Sequence, residues 1–125
     1  MVLPPAVIIH GLGDARLALA PRRPVTLLSA PAAALYAGCH WWYQLILAAE
    51  TVHPALLDCA DAPGRAVEAL KMGLQGIVLD ARPDVYAQVA ELAEIYGALL
   101  LPAAPPALDL AMRGADRKLA AWLES

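Results

Sequence analysis

The chain is poor in charged residues and carries no excess of positive charge. Only 17% of its 125 residues are Asp, Glu, Lys or Arg, and 60% are hydrophobic. Because a disordered chain combines low hydrophobicity with high net charge, this composition excludes intrinsic disorder. The net charge of −3 and the pI of about 5.5 offer no basic surface. We therefore expect neither nucleic acid nor an anionic membrane as a partner.

Cysteine is scarce too. The two cysteines, Cys39 and Cys59, are too few for a disulfide framework. They share no metal-ligand spacing with the three histidines, so the pattern predicts no metal site and identifies no cofactor. Free thiols are typical of a reducing compartment, which indicates a cytoplasmic protein.

One long segment without charge raises the question of a membrane span. Residues 24–49 contain no Asp, Glu, Lys or Arg, and about 20 apolar residues suffice to cross a bilayer. Pro31 and Gly38 interrupt the segment, and a polar side chain such as Gln44 would lack a partner in lipid. The N-terminal segment has no basic start, and Asp14 breaks any signal-peptide core. We expect a soluble chain.

Short apolar runs alternate with segments of helical period. Runs of consecutive apolar residues predict five buried strands, which begin near Ala6, Val25, Ala55, Gly76 and Ala98. Strands that alternate with helices are typical of βαβ units and a parallel sheet. We predict one α/β domain over residues 1–125, a three-layer arrangement of about five βα units with a mainly parallel sheet. The alternative is a half-barrel-like sheet completed by oligomerisation.

Proline and glycine mark the predicted helix ends. Asp61 is the expected N-cap of a helix from Ala62 to Met72 that has Pro63 in its first turn, and Gly73 follows that helix. Near the C-terminus, apolar residues repeat at helical spacing. They predict one amphipathic helix with the stripe Leu108, Met112, Ala115, Leu119 and Trp122.

The residues that could do chemistry collect at the carboxyl ends of the predicted strands. Ligands of parallel α/β sheets bind beyond that edge. The candidate catalytic residues are Ser29, Tyr36, Asp58 and Asp80, and the candidate ligand-binding residues are His10, Gly11, Gly13, Arg16, Asp61 and Arg82. The structural alternative is that these aspartates are caps and turn residues.

The segment His10-Gly-Leu-Gly-Asp14 resembles the oxyanion loop of some serine hydrolases. The Gly-x-Ser-x-Gly nucleophile elbow of those enzymes is absent, which excludes the assignment. The same glycines do not complete a dinucleotide fingerprint, because Arg16 stands at the third glycine position. Two alternatives remain: a phosphate site with Arg16 as the charge partner, or a tight turn in which His10 bonds to backbone.

Residues 64–80 resemble the helix–glycine–strand–aspartate segment of phosphate-handling (βα)-barrel enzymes. In the quinolinate phosphoribosyltransferases a similar run ends in Leu-Asp, here Leu79 and Asp80. The resemblance implies that Asp80 lies at the active edge of a strand. The wider chain is similar to a small Ala- and Arg-rich bacterial family without an assigned role, which implies a fold and no particular reaction.

Aromatic residues are concentrated between Tyr36 and Tyr43. Trp41 and Trp42 lie about 100° apart on a helix, so one side of the segment packs on the sheet and the other meets something else. We predict a subunit interface formed by Trp41, Trp42 and Tyr43, because aromatic residues are enriched at interfaces. The alternative is the floor of a ligand pocket.

Two functions follow from these features. The first is a homo-oligomeric interaction or small-molecule-binding module. The second is a small enzyme of the lyase or transferase type that acts on a phosphorylated or carboxylated metabolite. In the enzyme, Asp58 or Asp80 would be the base, Ser29 and Tyr36 would form hydrogen bonds, and an arginine would hold the anion.

Overall fold

The computed structural model describes residues 2–125, which form six strands and six helices. The strands are β1 (Ala6–Ile8), β2 (Thr26–Leu28), β3 (Ala55–Asp58), β4 (Gly76–Val78), β5 (Leu99–Leu101) and β6 (Ala107–Asp109). The helices are α1 (Leu12–Leu19), α2 (Ala33–Tyr36), α3 (Cys39–Ala49), α4 (Pro63–Lys71), α5 (Pro83–Tyr96) and α6 (Ala115–Leu123). None of the helices found in residues 2–125 has the length and apolar character that crossing a membrane requires.

Proline and glycine set the ends of α4 and α5. Each helix has a proline in its first turn, where the missing N–H is no loss. Gly73 and Gly97 follow the two helices with φ of +90° and +68°, a conformation that other residues rarely adopt. The N-cap of α4 is Ala62 and not the expected Asp61, and no side chain caps this helix. Asp61 instead lies within the turn that the bond from Ala62 N–H to Cys59 O closes at 3.0 Å.

The six strands form one parallel sheet in the order β5-β4-β3-β2-β1-β6. This finding confirms the predicted α/β domain with a parallel sheet. Strands β1 to β5 lie side by side in chain order, and crossovers between parallel strands are almost always right-handed. Successive right-handed crossovers in one direction place their helices on the same face of the sheet.

The packing of the side chains shows the same one-sided arrangement. The main core joins strand residues such as Leu57 and Ile77 to residues from all six helices. The opposite face forms a second cluster that contains no helix residue: Leu28, Leu56 and Val78, surrounded by Leu3, Ile8, Leu99, Leu101 and Ala107. The helices therefore cover one face of the sheet, as in the half-barrel-like alternative. The second face, where a third layer was expected, is covered by the strands of the sheet itself.

The sheet is curled, as the short link from β5 to β6 requires. A flat sheet of six strands would separate its edge strands by about 24 Å, since strands lie about 4.8 Å apart. The six steps from Leu101 to Ala107 reach at most about 21 Å, and the chain must also return along the strand direction. The two edge strands therefore bend toward each other, and the second cluster fills the concave side.

The sixth strand was not predicted. Leu108 lies in β6, paired in register with Val7, and the last helix begins only at Ala115. Leu108 and Met112 therefore do not belong to the helical stripe expected from their spacing. The physical reason is that a three-residue strand is too short to show a period, whereas the spacing of Leu108 from Met112 matches a helix by coincidence.

Candidate functional site

Polar residues stand at the carboxyl ends of five strands. They are Asp109 of β6, His10 after β1, Ser29 after β2, Asp58 of β3 and Asp80 after β4. These strands are neighbours in that order, so the residues follow one continuous edge of the sheet, which we call the carboxyl rim. The sequence predicted all of them as site residues except Asp109.

His10 and Asp109 make the shortest polar contact of the carboxyl rim. His10 Nε2 lies 2.6 Å from Asp109 Oδ1, across the pairing of β1 with β6. A second carboxylate holds the same loop, because the backbone N–H of His10 donates to Asp14 Oδ2 at 2.9 Å. The side chains of His10 and Asp109 are 36% and 30% exposed. The pair is therefore held in place by the fold and still open to a ligand.

This contact determines where the proton of His10 resides. Partial burial raises the pKa of Asp109. Two hydrogen bonds, from His10 and from Ala111 N–H, and the charge of His10 outweigh this effect. They hold the pKa of Asp109 below its usual value. At neutral pH the Asp109 carboxylate is ionised and can only accept hydrogen bonds. His10 must donate from Nε2, so in the neutral imidazole the lone pair lies on Nδ1, which can accept a proton. In catalytic His–Asp pairs a carboxylate likewise orients the imidazole, there through Nδ1–H and here through Nε2.

Ser29 and Asp58 are joined by a hydrogen bond on the strands next to the His10–Asp109 pair. The Ser29 side chain is 1% exposed, and its Oγ donates to Ala30 O at 3.1 Å and accepts from Asp58 N–H at 2.9 Å. Asp58 Oδ1 accepts from Ala60 N–H at 2.8 Å, in a turn where Ala60 has a φ of +51°. The two polar side chains stabilise a strained turn, and the Ser29 hydroxyl is buried and already engaged.

Asp61, Asp80 and Arg82 line one shallow groove of the carboxyl rim, between the loops that precede α4 and α5. All three residues are exposed. Arg82 Nε lies 3.5 Å from Asp84 Oδ1 in an exposed pair, so part of its positive charge is already balanced. The groove can contact a ligand, but its charge is not that of an anion site.

The remaining predicted residues lie outside these two groups. Tyr36, on α2, is 69% exposed, and Arg16 is exposed on α1. Gly11 and Gly13 open α1 without a positive φ. The carboxylate of Asp14 already lies in the first turn of this helix, where a phosphate would have to bind. Its negative charge cancels the potential that a phosphate site needs.

The aromatic segment on α3 divides between core and surface. Trp42 is fully buried in the main core, so in this conformation it cannot contact a second chain. Trp41 and Tyr43 are half-buried against the same core, and the rings of Trp41 and Trp42 lie 5.8 Å apart between centroids. Of the three predicted interface residues, only Trp41 and Tyr43 present some surface.

Neither cysteine is placed for chemistry. Both are buried free thiols. Burial, together with the Glu68 carboxylate, raises the pKa of Cys39 to about 12. Burial, together with the nearby Cys39 and Asp58, raises the pKa of Cys59 to about 12 as well. Within residues 2–125, no three His, Cys, Asp or Glu side chains are grouped closely enough to hold a metal ion.

Comparison of the chain with known protein families, curated proteins and solved structures finds no match. The class of the protein is therefore given by its architecture alone. It is an α/β domain whose parallel sheet is covered by helices on one face and carries a polar carboxyl rim.

Asp109 is the site residue that the sequence reasoning missed, although the sequence contained one signal for it. Asp58, Asp80 and Asp109 each follow a leucine at the end of a short apolar run. In the fold, Asp58 and Asp109 end strands of the parallel sheet, and Asp80 lies two residues after β4. A repeated strand–Leu–Asp pattern would have marked β6 together with its aspartate.

Proposed function

We propose that the protein binds a small molecule at the carboxyl rim and that His10 exchanges a proton with it. The observation that carries this proposal is the 2.6 Å contact between His10 Nε2 and Asp109 Oδ1. The contact orients the imidazole and leaves Nδ1 as the proton acceptor. The carboxyl ends of the strands are also where barrel-like α/β enzymes place their active sites. The proposed function is that of a small enzyme or ligand-binding domain with a histidine base.

His10 suits the role of base better than the two aspartates considered from the sequence. Asp58 Oδ1 is engaged by the backbone N–H of Ala60 at 2.8 Å. Asp80 is exposed, so water competes with a ligand for its carboxylate. The imidazole of His10 is held in one orientation by Asp109, and its Nδ1 remains available to a ligand.

The charge of the carboxyl rim favours a neutral or cationic ligand over an anionic one. Asp14, Asp58, Asp61, Asp80 and Asp109 lie on its loops and strand ends. The exposed arginines on this side of the sheet are Arg16, Arg65, Arg82 and Arg113, and two of them are already paired with the further carboxylates Glu68 and Asp84. Coulomb repulsion would weaken the binding of a phosphate or carboxylate here, so we propose a hydroxyl- or amine-bearing metabolite as the ligand class.

A nuclear magnetic resonance titration tests the proposal. Protein labelled with ¹⁵N would be titrated with three probe sets, namely small amines, neutral hydroxy compounds, and phosphorylated or carboxylated metabolites. We expect saturable shifts from one of the first two sets at the amides of His10, Asp109 and Ala111. The variant His10→Gln keeps a donor for Asp109 but loses the base, and it should weaken these shifts at least about tenfold.

The variant Glu94→Gln is the matched control, because it neutralises an exposed carboxylate in the last turn of α5, away from the carboxyl rim. It should leave the affinity within about twofold. Tighter binding of the anionic set, or binding that survives His10→Gln unchanged, would contradict the proposal.

Self-association is a second proposed function, and one surface feature favours it. Val52 is 93% exposed at the amino edge of the sheet. It borders an apolar groove of about 370 Å³, lined by Leu3, Leu56 and Leu99 among others. A large exposed apolar side chain beside an apolar groove is typical of an interface between subunits.

We place this homo-oligomer in the reducing cytoplasm, which the free thiols of Cys39 and Cys59 support.

Light scattering coupled to size-exclusion chromatography separates the two functions. If the chain self-associates through this groove, Val52→Glu should yield a monomer. Met112→Glu, a change at a 66% exposed apolar residue after β6, should leave the oligomer intact. A wild-type protein that is monomeric at all concentrations would exclude self-association and leave the proposal for His10 untouched.

A further inference from the structure

A second candidate site lies at the amino edge of the sheet, away from the carboxyl rim. One face of α3 meets the turn between α4 and β4, and the two enclose a groove of about 220 Å³. Its apolar lining includes Trp42, Ile46, Ala55 and Leu74. We call it the Trp42 groove. Ala55 and a glycine in the turn leave the space open, because both are small.

Trp42 presents an unusual polar atom. Its indole Nε1 is the one buried side-chain nitrogen or oxygen within residues 2–125 that has no hydrogen-bond partner. Buried N–H groups in native proteins are almost always paired, because leaving a donor without an acceptor costs free energy. The indole of Trp122 shows the usual case, since its Nε1 donates to Ala6 O at 2.7 Å. A ligand acceptor would relieve the unpaired donor of Trp42.

We propose that the Trp42 groove binds an uncharged compound of about single-ring size that carries one hydrogen-bond acceptor. The apolar lining takes the ring, and the acceptor oxygen takes the N–H of Trp42. Because Nε1 has no exposed surface in the ligand-free chain, a ligand reaches it only when a group that covers it moves. Leu47 borders the groove and is 60% exposed, so it can turn aside without loss of core packing.

The polar residues of the groove narrow the ligand class further. Glu50 is its one charged lining residue, and Gln75 adds an uncharged polar group. The Glu50 carboxylate repels an anion, so the groove selects a carbonyl, ether or hydroxyl oxygen over a carboxylate. The site is independent of His10, and its failure would leave the proposed function unaffected.

The indole N–H resonances provide a direct test. The chain has three tryptophans, so a spectrum of protein labelled with ¹⁵N at tryptophan contains three indole signals. The Trp42 signal is identified by its loss in Trp42→Phe. We expect acetophenone, a ring with one carbonyl acceptor, to move this signal in a saturable way. Ethylbenzene has the same size without the acceptor and should bind about 3- to 10-fold more weakly. Benzoate should not bind.

Two variants complete the test. Trp42→Phe should weaken acetophenone binding to the level of ethylbenzene, whereas Trp41→Phe, a change at the half-buried neighbour, should leave it unchanged. If Trp42→Phe does not fold, Trp41→Phe and Trp122→Phe identify the Trp42 signal by elimination, and the comparison of acetophenone with ethylbenzene on the unaltered chain decides. A Trp42 signal that acetophenone leaves unmoved up to its solubility, or that ethylbenzene moves with equal affinity, would overturn the proposal.

Discussion

At Gly76 the sheet has no room for a side chain. A Cβ at this position would lie 2.4 Å from Leu56 Cδ2 and 3.2 Å from Ala55 O, on the neighbouring strand. Leu56 is 1% exposed and belongs to the cluster that fills the concave side of the sheet. The glycine therefore allows β3 and β4 to pack closely where the sheet curls.

Gly76→Ala should destabilise the fold by about 1–3 kcal/mol, because a methyl group forced into a packed core displaces its neighbours. Urea unfolding of both proteins measures the difference. Gly64→Ala is the matched control: nothing lies within 4 Å of its Cβ, and the residue is in α4. This change should stabilise the chain by up to about 1 kcal/mol. Equal effects of the two substitutions would contradict the packing argument.

The contact between His10 and Asp109 makes stability depend on acid pH. The folded chain holds the pKa of Asp109 below its unfolded value of 3.8. A lowered pKa contributes stability that is present above the unfolded value and is lost as the pH falls through the folded value.

Asp109→Asn should therefore reduce stability most above about pH 4, and the difference from the unaltered chain should shrink as the pH falls further. Thermal unfolding between pH 7 and pH 2 checks this expectation. Asp61→Asn, at an exposed position of the same rim, should show a smaller effect at every pH. A difference that grows on acidification below pH 4 would show that the sign of the shift is wrong.

Among the elements, α6 depends most visibly on one side chain. The helix is nine residues long, too short to be stable alone, and its inner face packs Leu119 and Leu123 into the main core. Trp122 Nε1 donates to Ala6 O at 2.7 Å, which ties the end of the chain to β1.

Trp122→Phe removes this hydrogen bond and keeps an aromatic ring. We expect a loss of about 1 kcal/mol in the free energy of unfolding, with faster amide hydrogen exchange in α6 than in α4. Exchange measured by mass spectrometry resolves the two helices. If exchange accelerated equally in both, the bond would serve the whole fold and not the docking of α6.

For the whole molecule, the two buried thiols report on opening of the main core. Cys39 and Cys59 are 1% and 0% exposed, on α3 and directly after β3. With a pKa of about 12, each thiol is protonated at pH 8 in the folded chain. Reaction with a thiol reagent then requires that the core open.

Both thiols should react with a chromogenic disulfide reagent at pH 8 more than about 100-fold more slowly in the native protein than in concentrated urea. The number of thiols released as urea increases should follow the loss of circular dichroism in one transition. A cysteine that reacts at once without urea would show that one part of the core opens independently.

Much of the local structure could be predicted from the sequence, because strand runs, Pro63, Gly73 and Gly97 act within a few residues. The boundaries of α4 and α5 follow from such signals. The role of Trp42 could not be predicted, since neighbouring tryptophans on a helix look alike until the packing partner of each is known. The position of His10 was predicted, but not its partner, because Asp109 lies 99 residues away in the chain.

The sequence by itself determined that the chain is one α/β domain with a parallel sheet, since buried apolar runs that alternate with helical segments allow few other solutions. Only the tertiary structure decided the strand order, the helices on one face, and the curl that closes the second cluster. These properties depend on contacts between residues far apart in the chain, and periodicity carries no information about such contacts. The pairing of His10 with Asp109 belongs to the same group, because it exists only where β6 is laid beside β1.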